Sequence, residues 1–220
     1  MGWSWQVPTQ FQIKKYEPDN MIRYLKYLKW VGQQPWDKLK FLNEAHVVSR
    51  ELHKKKVLGL VGQRTWLQAN TLQEASASVT ILTALEPSEP VVMLWRTESN
   101  TQWDFLNFVI YCLQIKALRR GDFLIVDNAA VHGGSASYPI LDMVLTAFGV
   151  KLVFLPAYSP ELNPCELVFN VVKCAIRNHQ RFGVSVFVET IQAVSQITYR
   201  QMVMFYRHCI FPKVVLPDLQ

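Results

Sequence analysis

Charge is scarce in this chain. Only 18% of its 220 residues are Asp, Glu, Lys or Arg, while half are hydrophobic. That balance excludes a disordered polyelectrolyte and leaves ample material for a core. Zinc-type spacing is absent: Cys112, Cys165, Cys174 and Cys209 form no CxxC pair, and His46, His53, His132, His179 and His208 are scattered. The cysteines read as reduced core residues of an intracellular protein. No apolar run reaches the roughly eighteen residues of a membrane-spanning helix. The opening MGWSWQVPTQ lacks the apolar centre of a signal peptide, and Gln6 breaks the myristoylation pattern that Met-Gly begins. Internal repeats and low-complexity stretches are also missing. What charge there is leans basic, at +6, which suits a nucleic-acid partner without requiring one.

The apolar periodicity orders the chain. DNMIRYLKYLKWV (19–31) has helical spacing at Met21, Ile22, Leu25, Leu28 and Val31, with Asp19 as its cap. LKFLNEA (39–45), KVLGLVG (56–62) and SVTILTALE (78–86) read as three consecutive antiparallel strands. Residues 100–115 form a helix with a stripe at Phe105, Phe108, Val109 and Cys112. DFLIVDNAA (122–130) is a buried strand ending on Asp127. A helix near 139–148, the strand KLVFLP (151–156) and a helix carrying Glu166 follow, then helices near 186–197 and 201–209. Antiparallel strands followed by βα units give an α/β mixed five-stranded sheet with helices on both faces. Right-handed crossovers set the fourth strand beside the first, the plan of a ribonuclease-H-like fold. The expected division is a helical N-terminal extension at 1–38, the sheet domain at 39–183, and C-terminal helices packed on it at 184–220.

A buried strand has no packing use for a carboxylate at its carboxyl end, where α/β sheets place ligands. Asp127 is therefore a candidate ligand, although a carboxylate there also caps turns. Glu166 falls in the first turn of a helix opened by Asn163 and Pro164. The helix dipole alone favours an acid there by about 0.3–1 kcal/mol. The fold would nonetheless aim it at Asp127. Carboxylates converging from separate elements suit hard divalent cations.

IVDNAAVH (125–132) followed by FLPAYSPELNPCELVFNVVK (154–173) resembles the second and third catalytic blocks of mariner-type DDE transposases. The likeness covers roughly residues 39–209. It implies metal-dependent DNA cleavage and strand transfer at transposon ends, with Mg²⁺ or Mn²⁺, and no other small-molecule cofactor. It makes Asp127 the second catalytic acid and metal ligand and Glu166 the third. Asn128, His132, Tyr158 and Asn163 fall on motif positions that frame the site. DNA is the implied partner, a homodimer the implied assembly, and the nucleus the implied location in a eukaryote. No membrane is expected.

The departure lies at the first acid. The family pattern is apolar-apolar-Asp-Glu; this chain reads Phe41-Leu42-Asn43-Glu44, so Asn43 takes the place of the first aspartate. Strand alternation turns Glu44 to the opposite face. An amide brings no charge to the metal, so impaired catalysis is expected. The alternative is an inactive, decayed or co-opted transposase serving as a nucleic-acid-binding or protein-interaction domain. The 38 residues before Leu39 show no recognition helix. Phosphate contacts are expected from Lys54, Lys55, Lys56, Arg64, Arg119 and Arg120, giving weak, sequence-indifferent and salt-sensitive DNA binding.

Overall fold

A computed structural model describes residues 13–48, 76–128, 136–178 and 185–211. Its helices are α1 (Pro18–Val31), α2 (Gln102–Gln114), α3 (Tyr138–Phe148), α4 (Pro164–Asn178), α5 (Val186–Ser195) and α6 (Tyr199–Ile210). Its strands are β1 (Leu39–Val48), β2 (Ser76–Thr83), β3 (Val91–Arg96), β4 (Phe123–Val126) and β5 (Lys151–Phe154). They form a five-stranded sheet in the order β3-β2-β1-β4-β5. β1, β2 and β3 run antiparallel, whereas β4 and β5 run parallel to β1. This is the mixed ribonuclease-H-like sheet, with the fourth strand beside the first.

Alternation along the strands builds two cores. Phe41, Val47, Val79, Ile81 and Ile125 point to a face covered by α1, α4, α5 and α6. Leu42, Leu82, Val92, Leu124 and Val126 point to the other, under α2 and α3. Each large apolar side chain buried there contributes about 1.5–3 kcal/mol. Tyr206 of α6 is fully buried, stands edge-on to Phe41, and sets its hydroxyl 2.9 Å from the carbonyls of both Leu39 and Thr83. It ties α6 to the start of β1 and the end of β2. The expected stripe of α2 is buried as read, and Thr101 with Asp104 closes a capping box at its start. Among the described residues no helix is long and apolar enough to cross a membrane.

Four expectations need correction. KVLGLVG lies outside the described residues, and SVTILTALE supplies β2, paired directly with β1, rather than a third strand. The third strand of the sheet is VVMLWR, set off by the prolines of EPSEP (86–90). Its residues feed both cores, so it carries no polar–apolar alternation to read. In α1 the buried stripe is Asn20, Tyr24, Tyr27 and Val31, while Ile22 and Leu25 are exposed. Tyr24, Tyr27 and Val31 join the core on that face, and Asp19 sits inside the first turn instead of capping it. Cys174 is exposed rather than in the core, the other three cysteines are buried, and none of the four forms a disulfide.

Candidate active site

Phe41 pairs with Ile125 in the parallel ladder between β1 and β4, and two further steps bring Asn43 level with Asp127. The start of α4 is pinned to the same strand. Asn163, buried at its N-cap, accepts the Cys165 N–H at 3.0 Å, and Pro164 takes the first helical position, where no N–H is needed. The Cys165 thiol donates to the Phe41 carbonyl at 3.3 Å. With Cys165 fixed under β1, the next residue projects over Asn43. The Asn43 amide donates to Glu166 Oε1 at 2.9 Å.

Burial raises the proton affinity of Glu166. The Asn43 hydrogen bond and Lys173 lower it, and the negative charge of Asp127 raises it again. Asn43, Asp127 and Glu166 thus share one cleft of about 390 Å³, walled by Asn128, residues 155–160 and Asn163. A carboxylate in the first turn of α4 stands where a charged ligand site needs it, and the helix dipole also favours it there.

The cleft wall is braced from outside the sheet. Asn20 on α1 accepts the Ala157 N–H and donates to the Ala157 carbonyl, both at 3.0 Å, and donates to Lys15 O at 3.0 Å. Lys15 pairs with Glu161 at 2.6 Å. Between these ties Tyr158 adopts φ 54°, a left-handed conformation that costs a non-glycine residue about 1–2 kcal/mol. Its ring is 48% exposed at the cleft rim. Asn128 donates through a short hydrogen bond to Leu155 O, joining the carboxyl ends of β4 and β5.

The sequence pattern described as DDE superfamily endonuclease matches residues 38–185. This chain belongs to that family. The fold is similar to the Mos1 transposase paired-end complex with left transposon end, at TM-score 0.67 and 15% identity over 96% of this chain and 63% of that one. The Mos1 mariner paired-end complex with Mn gives 0.66 at 14% identity, over 96% and 63%. The catalytic domain of Mos1 mariner transposase gives 0.60 at 12% identity, over 93% of this chain and 93% of that one. At such identities the likeness is one of fold. The chain spans 63% of the Mos1 chain in each paired-end complex. No curated protein matches by sequence.

Among the described residues no three His, Cys, Asp or Glu side chains are grouped to hold a metal ion. Two carboxylates and one amide remain. Hard oxygen donors of that kind suit a single Mg²⁺ or Mn²⁺ completed by water and phosphate oxygens. They fall short of a set for two ions, and the Asn43 nitrogen faces Glu166.

Glu44 does not make up the deficit. It lines a separate hollow with His46, Ser78 and Asn100, opposite Thr80 in the ladder. Among the basic residues expected to contact DNA, Arg119 and Arg120 precede β4, at the end of the strand opposite Asp127 and about 13 Å of strand away. Arg119 pairs with Glu86 at 3.2 Å and donates to Lys116 O, while the Arg120 side chain lies against Gly149. The structure does not bring either to the cleft. Lys54, Lys55, Lys56, Arg64 and His132 lie outside the described residues. Asn20, missed in the sequence reading, had a signal: it continues the stripe of Tyr24, Tyr27 and Val31 as a polar residue at helical spacing.

Proposed function

We propose that this chain is a transposase-derived DDE domain that holds DNA at the Asp127–Glu166 cleft and cleaves it with greatly reduced efficiency. The Asn43–Glu166 hydrogen bond carries this reading. In an intact triad the first position brings a third negative charge to the metal. Here the same position brings an N–H to the third acid, so Glu166 is held by a neutral donor. A missing charge about 4 Å from an ion forfeits about 4 kcal/mol at an effective dielectric near 20. If lost from the transition state, that is about a thousandfold in rate.

Asp127 and Glu166 would hold one Mg²⁺ or Mn²⁺. The ion, when bound, would polarise phosphate and water oxygens for phosphodiester cleavage. The chain's own contributions are positional. Asn43 orients the Glu166 carboxylate, Asn163 and Cys165 fix the helix that carries it, and the 155–160 wall shields the carboxylates from bulk water. The similarity in fold to Mos1 complexes with a transposon end and with Mn makes DNA and a divalent ion the ligands to test first. The basic surplus supports phosphate-led binding that weakens steeply with salt. The Asn43–Glu166 bond also supports the second reading, a co-opted DNA-binding domain without cleavage, because the amide stabilises the acid without an ion.

Nicking of supercoiled plasmid in Mn²⁺ separates them. Weak nicking by the native protein, raised by orders of magnitude in Asn43→Asp and abolished by Asp127→Asn, supports the impaired enzyme. No nicking by either native protein or Asn43→Asp, with DNA binding retained, supports the co-opted domain. Vigorous native nicking that Glu44→Gln removes would overturn the assignment of Asn43 as the first position.

A further inference from the structure

The Tyr158 ring stands at the rim of the cleft in a conformation a tyrosine rarely adopts, with nearly half its surface exposed. No hydrogen bond, ring contact or cation among the described residues engages it. About half of its surface is left uncovered, so packing returns only part of the strain. Yet the loop is held firmly. Asn20, itself buried, satisfies both backbone groups of Ala157, and Ser159 Oγ donates to the same Ala157 carbonyl at 3.2 Å. Pro156 and Pro160 stiffen the segment on either side, and Lys15 ties down Glu161. A strained residue maintained by surrounding bonds, beside two carboxylates, marks a group kept ready for a ligand.

We infer that Tyr158 is a stacking platform for an unpaired nucleobase at the cleft, and that Asn20 is the positioning residue that holds it there. The inference rests on the proposal that the cleft is a DNA site. A tyrosine face at the edge of a phosphate-binding cleft accepts any base, because each base presents a π-surface. Only a base out of the duplex stack exposes that surface, so the platform selects DNA with a frayed or single-stranded end over a closed duplex. Asn20 touches no nucleotide. It acts by keeping Ala157, and so the backbone entering Tyr158, in one geometry. The N-terminal helix is thereby part of the substrate site.

The test uses the full chain and two DNAs, a blunt duplex and the same duplex with a short 3′ overhang carrying 2-aminopurine. Anisotropy reads affinity and 2-aminopurine emission reads stacking. The native protein should prefer the overhang by about tenfold, within the range expected for one stacked base, and should quench the probe. Tyr158→Trp should keep both effects and Tyr158→Ala should lose both. Asn20→Ala should lose the quench while still binding blunt DNA, a pattern that general unfolding would not produce. Equal affinity for both DNAs with no quench, in native and Tyr158→Ala proteins alike, overturns the stacking assignment but leaves the DNA site standing. An Asn20→Ala protein that quenches like the native one overturns the positioning role. A native protein that binds neither DNA overturns the cleft reading itself.

Discussion

Replacing Asn43 with aspartate exchanges a donor for a negative charge at a point 2.9 Å from Glu166 Oε1. Two effects act against the metal-free fold. A hydrogen bond to a charged group is lost, at about 1.5–3 kcal/mol. Two carboxylates then face each other, and unit charges 4 Å apart repel by about 4 kcal/mol at a dielectric near 20. They do not add in full, because the pair escapes part of the repulsion by retaining a proton. A net cost of about 3 kcal/mol at pH 8 follows, or about 6–12 °C in Tm for a chain of this size.

The pH dependence has a definite sign. Burial already raises the proton affinity of Glu166, so its contribution to stability is full in acid and is lost as pH rises through the raised value. The introduced aspartate would push that value higher, so the gap between variant and native protein should be widest above neutrality and close on acidification toward pH 4. Mn²⁺ binding only the folded variant at about a hundred times its Kd would return about 2.7 kcal/mol. Thermal melts at pH 5 and pH 8, with and without Mn²⁺, read all of this. A variant as stable as the native protein at pH 8 without metal would refute the contact between residue 43 and Glu166. An equal loss at both pH values would refute its electrostatic origin.

Tyr206→Phe should cost about 1–3 kcal/mol in urea unfolding, since the Leu39 and Thr83 carbonyls lose the one hydroxyl they share; a neutral result would mean water replaces it. Tyr158→Gly should change stability by less than about 1 kcal/mol although it removes a half-buried ring, because glycine takes φ 54° without strain and that relief offsets the lost burial; a loss above about 3 kcal/mol would show that the backbone there carries no strain to relieve. Alkylation of the folded protein at pH 8 should modify Cys174 first, because burial shields Cys112 and Cys209 and pushes their thiols up to about 12. Uniform labelling of all four cysteines, followed by peptide mapping, would contradict the packing of α6.

The mixed sheet with its fourth strand beside the first was legible in the sequence, and so was the convergence of Asn43, Asp127 and Glu166 on one cleft. Asp127 could be read because a carboxylate at the end of FLIV has no packing use, and Glu166 because Asn-Pro opens a helix one residue before Cys165 anchors it. Asn43 against Glu44 followed from strand alternation, and the two residues do line different hollows. β3 escaped because both of its faces are covered, which erases the period of two. Charge alone does not say at which end of a strand a basic residue lies: Arg119 sits at the end of β4 remote from Asp127 and pairs with Glu86. Aliphatic spacing in α1 does not reveal Asn20, whereas a polar residue within an aromatic stripe points to a partner brought from far along the chain.

The bracing of the cleft wall by α1 also makes the wall a mechanical element. Lys15 and Asn20 grip Glu161 and Ala157 across the whole length of the sheet domain in sequence. A pull applied to the chain ahead of Ile13 would load those bonds before it loaded any strand, and would reach the backbone on both sides of Tyr158. Whatever is tethered there, a bead in an optical trap for instance, has a lever on the rim of the cleft that does not pass through the sheet.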